Sequence, residues 1–172
     1  MRIMQLPTHI IAGILIQELI TSYIHIDALL KIVLIIITCF LSHFLLDPIA
    51  ILTYHPPQRE HTNFWLYWHL FVYGAGLVLL IIFFNPYWLG MVSANAVDLW
   101  DWYFLRPYGN RTGKPDLQKK YGLHFIADRI RKPLVKLGIP NLSHKKIGII
   151  PELILTPIFL IIGMMRIIEL IL

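Results

Sequence analysis

Long apolar runs, each interrupted by a few polar residues, dominate the chain. Residues 3–20, 29–52, 62–84, 86–105 and 147–172 each approach or exceed the roughly 20 helical residues that cross a hydrocarbon core. The second run carries only Lys31, His43 and Asp47 as strongly polar side chains, and the third carries Asn63 and His69. The fourth holds Asp98 and Asp101, and the fifth holds Glu152, Arg166 and Glu169. The first is the weakest, broken by Pro7, His9, Gln17 and Glu18. It lacks a small-residue cleavage site and reads as a retained span rather than a signal peptide. The pattern predicts an all-α integral membrane bundle of about five transmembrane helices, forming one domain over residues 1–172.

Composition strengthens this expectation. Of the 172 residues, 57% are hydrophobic and the mean hydropathy is +0.65, above the roughly 45–50% of soluble domains. The lone Cys39 sits in an apolar run and reads as a small packing residue. The net charge of +5 is unevenly placed, with eleven of the fifteen Lys and Arg residues between 106 and 146. Between two spans the positive-inside rule explains such a cluster better than nucleic acid does. It assigns the 106–146 loop to the cytoplasm. Alternation then places the Asn85-Pro86 turn outside, residues 54–61 with Arg59 inside, and the N-terminus inside. The expected location is the plasma (inner) membrane of a bacterium or archaeon.

Within that loop, Leu117, Tyr121, Ile126, Ile130, Leu134 and Leu137 recur at helical spacing among lysines and arginines. This predicts a basic amphipathic helix on anionic lipids of the cytoplasmic leaflet. Pro133 is expected to bend or end it.

Intramembrane ionisable residues mark functional candidates, because a bare charge is costly in hydrocarbon. His43 and Asp47 stand at i, i+4 on one helical face, and Asp98 and Asp101 at i, i+3. His9, His43, Asp47, His69, Asp98 and Asp101 all fall at the cytoplasmic end of their spans under the expected topology. Imidazole with carboxylate is the ligand set of a divalent metal ion such as Zn, Mn or Fe, and helical bundles build such sites from facing helices. A cation would also relieve repulsion between Asp98 and Asp101. The expected ligands are His9, His43, Asp47, Asp98 and Asp101, with His69 or Asp98 as the catalytic base. His55 and His61 read as interfacial residues. His25, His124 and His144 read as surface residues, and Glu18 faces the opposite end.

Three short motifs in the first 105 residues carry a family resemblance. Thr8-His9-Ile10-Ile11-Ala12-Gly13 resembles the opening of the membrane-bound, metal-dependent hydrolase-like proteins, which include a LexA-regulated member. Leu41-Ser42-His43-Phe44-Leu45-Leu46-Asp47 resembles their Ser-His-Leu-Leu-Leu-Asp segment, and Val97-Asp98-Leu99-Trp100-Asp101-Trp102 more loosely resembles their Pro-Asp-x-Asp or Pro-Asp-x-x-Asp segment. The His-Arg-Gly-x-Thr-His-Ser segment of one branch is absent. The resemblance implies a membrane-embedded hydrolase, and the site's depth suggests a lipid or lipid-linked phosphoester as substrate. The alternatives are a cation or proton transporter using the same residues, or a non-catalytic membrane protein. Nothing in the sequence sets an oligomeric state.

Overall fold

The computed structural model describes residues 6–56, 62–114, 116–154, 156–158, 161 and 165, and every regular element among them is helical. Three long helices come first: α1 (Leu6–Tyr23), α2 (Ala28–Ile49) and α3 (Asn63–Ala94), with a 3₁₀ turn at Ala50–Leu52 after α2. A short α4 (Ala96–Asp98) runs into a π-helical stretch, Leu99–Leu105, and then α5 (Arg106–Arg111). Two further helices, α6 (Leu117–Tyr121) and α7 (His124–Lys136), occupy the basic segment. Arg59, His61 and half of the expected fifth span lie outside the described residues, though 149–154 are helical.

Among the described residues, two helices, Ala28–Leu52 and Asn63–Ala94, are long and apolar enough to cross a membrane. A soluble core helix of similar composition would be mostly buried, whereas the apolar windows of these two are only 22% and 28% buried. Leu29, Leu30, Ile37 and Leu45 on α2, and Leu70, Phe71, Ile81 and Ile82 on α3, point outward. Contiguous apolar surface of this kind suits lipid far better than water.

Capping fixes where α2 and α3 begin. The Asp27 carboxylate accepts from the Leu29 amide at 2.9 Å, and the Thr62 hydroxyl accepts from the Trp65 amide at 3.1 Å. Each satisfies an amide that the first helical turn leaves unpaired.

The α3 helix doubles back on itself. Tyr73 and Tyr103 line one cavity, yet on a straight helix they would stand about 45 Å apart. The reversal falls at Tyr87, whose φ of −124° and ψ of 15° are non-helical, one residue after Pro86. Gln17 of α1 holds the bend. Its amide nitrogen donates to the Pro86 carbonyl at 2.9 Å, and its amide oxygen accepts from the Gly90 N–H at 2.7 Å. Those two backbone groups would pair with each other in an unbroken helix, so the side chain has inserted into the i→i−4 ladder.

Packing around α1 brings the arms together. Ile10, Ile11 and Ile14 meet Leu79 and Phe83 of the first arm, Tyr87 at the bend, and Met91 of the second arm. Gly13 faces Gly90 so closely that a Cβ on either would overlap the other's carbonyl, the small-residue approach that membrane helices use. On the other side of α1, α2 runs antiparallel, with Cys39 buried among Ile20, Ile35 and Ala94. The expected packing role for Cys39 fits this position.

The basic segment departs from its expected form. It is two helices rather than one, broken at Gly122, where a Cβ would collide with the Gln118 carbonyl and press on the Asp101 carboxylate. Pro133 lies within α7 without ending it, and the helix continues to Lys136. One face of α7, at His124, Ala127 and Arg131, turns toward the end of α2. Beyond it, residues 142–148 tie to the stretch after α2 through Leu142 N–H to Ile51 O, His55 N–H to Ser143 O and Tyr54 N–H to Gly148 O.

Candidate metal centre

Four elements converge at one end of the molecule. From the first turns of α1 comes His9, fully buried. From the last turns of α2 come His43 and Asp47, one helical turn apart, so that both side chains point toward α1. Asp98 closes α4, and His124 opens α7. Asp47 lies at the middle. One of its oxygens is 3.9 Å from His9 Nε2 and 4.0 Å from His43 Nε2, and the other is 3.9 Å from His124 Nε2. Asp98 Oδ1 is 3.1 Å from His124 Nε2. The donor atoms of His9, His43 and Asp47 all lie within 4.8 Å of one another, as do those of His43, Asp98 and His124.

The His43 imidazole is set up as an acceptor facing inward. His43 Nδ1 lies 3.0 Å from the Ala94 carbonyl. A carbonyl only accepts, so Nδ1 carries the proton and the Nε2 lone pair is directed at the cluster. His43 Nε2 and both His9 ring nitrogens are buried without a hydrogen-bond partner among the described residues. The two rings stack at 4.1 Å between centroids, which brings their polar edges close together. Buried polar atoms are normally paired, and His43 Nε2 with one nitrogen of His9, beside the carboxylates, forms a group that could hold a metal ion. Donor pairs 3–4 Å apart also match a metal bound at roughly 2.0–2.2 Å by each ligand.

Asp101 has a different place from the one expected for it. Its carboxylate accepts from the Leu123 and His124 amides at 2.9–3.0 Å and lies 2.6 Å from His124 Nδ1. It thereby caps the start of α7 and orients the His124 ring from behind. The π-helical geometry from Leu99 widens the turn that separates Asp98 from Asp101, a distortion frequent at functional sites. Burial alone would lower the His124 imidazole. Hydrogen bonds to Asp101 and Asp98, with the charge of Asp47, outweigh it and push the group up to about 10. Arg131, two turns along α7, donates to the Asp47 carbonyl at 3.0 Å and lies 3.7 Å from its carboxylate.

The structure therefore brings together His9, His43, Asp47 and Asp98, and sets Asp101 one layer out. It adds His124, which sequence reasoning left on the surface. His69 is not brought to the cluster. Its ring stacks on Trp65 at 4.1 Å, its Nδ1 lies 2.7 Å from the Trp65 carbonyl, and Tyr54 and Tyr73 flank it. His55 is buried in the turn after α2, near Thr53.

The chain matches no protein-family model, no curated protein and no solved structure.

Proposed function

We propose that this protein is a membrane-embedded, metal-dependent hydrolase, with its centre at the cytoplasmic end of a bundle of about five spans and the 106–146 segment folded over it. The observation that carries this reading is the set of inward-facing, unpartnered imidazole nitrogens of His9 and His43 beside Asp47, Asp98 and His124. The motifs resembling the membrane-bound, metal-dependent hydrolase-like proteins supply His9, His43, Asp47 and Asp98.

In this reading His9, His43, Asp47, Asp98 and His124 hold the ion, and nitrogen with oxygen donors favours Zn, Mn or Fe over calcium or magnesium. A divalent ion there would supply Lewis acidity toward a phosphoryl or acyl oxygen and toward water. The protein's own groups do the rest. Asp98, the most exposed of the three carboxylates, lines the adjoining cavity and takes a proton from water. Asp101 fixes the His124 ring, and Arg131 anchors Asp47. Hydrolysis joins the water oxygen to the phosphorus or acyl carbon, and the ester oxygen leaves with a proton as the alcohol. The substrate class is a lipid or lipid-linked phosphoester, since the cavity opens on an apolar flank.

Elemental analysis of the purified protein tests the reading. The unmutated chain should carry stoichiometric transition metal, and Asp47→Ala and His9→Ala should lose most of it while still extracting as folded protein. A metal-free unmutated chain would sink the proposal, and ion flux through liposomes by such a chain would favour the transporter reading instead.

A further inference from the structure

A cavity of about 560 Å³ lies beside the cluster, between α1, the first arm of α3 and the π-helical segment. Its volume falls within the range of small-molecule sites. Leu6, Leu80, Leu99 and Tyr103 give it apolar walls, and Asp98 and Arg106 are its charged lining residues. Leu99 and Tyr103 are also exposed on the outer surface, so the walls continue into the apolar flank of the molecule.

Arg106 is the unusual member. Its guanidinium lies 5.4 Å from the centre of the Trp102 ring, and no carboxylate pairs with it among the described residues. The other arginine near the cluster, Arg131, is engaged with Asp128 and Asp47. A guanidinium presents a planar fork of donors matched to phosphate oxygens. Here that fork shares a cavity with a carboxylate of the metal cluster, while the remaining wall suits hydrocarbon.

We infer that this cavity seats a long-chain lipid phosphoester, with its phosphate between Arg106 and the Asp98 side of the cluster and its chain leaving past Leu99 and Tyr103. The assignment rests on the hydrolase reading for its chemistry but not for its binding. A free phosphate would use Arg106 and leave the apolar walls empty. A neutral lipid would use the walls and leave Arg106 idle. Only an amphiphile with an anionic phosphate uses both.

Photolabelling of the full chain in nanodiscs tests this. The probes are a phosphatidic acid with a diazirine in its acyl chain and the matching diacylglycerol, with inorganic phosphate as competitor and metal content measured in parallel. Phosphatidic acid should label peptides around Leu6, Leu80 and residues 99–103. Arg106→Gln should reduce that labelling by about tenfold or more, as expected for loss of a charge-assisted contact, and leave the weaker diacylglycerol labelling unchanged. Leu99→Trp, which narrows the cavity, should reduce both probes with metal content retained. Labelling spread evenly over α2 and α3, insensitivity to Arg106→Gln, or full displacement by inorganic phosphate would overturn the assignment. Cavity labelling of a chain that carries no metal would uphold the lipid site and remove the hydrolase reading. Metal without cavity labelling would do the reverse.

Discussion

Asp101 and His124 form a pair in which one residue acts through the other. Asp101→Asn keeps the shape but weakens the hold on His124 Nδ1, and outer-layer changes of this kind typically cost about 10–100-fold in metal affinity. Competition with a chelator of known affinity measures that loss; an unchanged affinity would place His124 outside the ligand set. The imidazole also sets a pH dependence. Held at about 10, it is protonated at neutral pH, and the proton on Nε2 must leave before that atom can bind a metal. Apparent metal affinity should therefore rise with pH up to about 10, with close to one proton released per ion from His124. Calorimetry in buffers of different ionisation enthalpy counts it. In the metal-free protein the sign reverses. A folded-state value raised above the ordinary 6.5 stabilises fully below pH 6.5, and that contribution is lost as pH rises through about 10. His43 and Asp47 were legible as a pair because residues four apart share a helical face, whereas His9 and Asp98 were legible only from their depth in the apolar runs. His124 was not, because its register depends on the break at Gly122 and on Asp101, contacts that helical spacing alone does not reveal.

Among the elements, the bend of α3 combines Pro86 with a single polar side chain from α1, Gln17. Gln17→Leu removes both hydrogen bonds to Pro86 and Gly90 and leaves those groups unpaired in an apolar setting, a loss of about 1–3 kcal/mol for each group that finds no other partner. Thermal unfolding in detergent should register it, together with lower metal occupancy, since the second arm carries Asp98. An unchanged midpoint would mean the ladder closes without Gln17. The sequence marked Gln17 as a flaw in the first span, because hydropathy counts polar atoms and not their partners. It did mark a turn at Asn85-Pro86, whereas the helix passes through Pro86 and turns at Tyr87. Proline removes one donor and weakens the helix at that point, but Gln17 decides where the released groups go. The length of the α2 run was readable directly, since its outward face is apolar almost throughout.

At the scale of the molecule, α7 is fastened to the helices by its contacts at the cluster, chiefly His124 and Arg131. On the proposed reading, removing a metal held there should loosen the basic segment before it loosens anything else. Hydrogen exchange with and without chelator should show faster exchange across α6 and α7, with α1 and α2 little changed. Uniform exchange in both states would mean that α7 docks independently of the ion. The basic composition of 106–146 announced a segment at a charged surface, but composition cannot distinguish a helix lying on lipid from one docked on α2. The positions of His9 and His124 have a consequence for biogenesis. The cluster's side chains come from positions as far apart as His9 and His124, so the cluster cannot close until synthesis has passed the whole region between them. Stable loading with metal would then be a late step in maturation, and a nascent chain stopped in the π-helical stretch would have its helices in place while its centre stayed open.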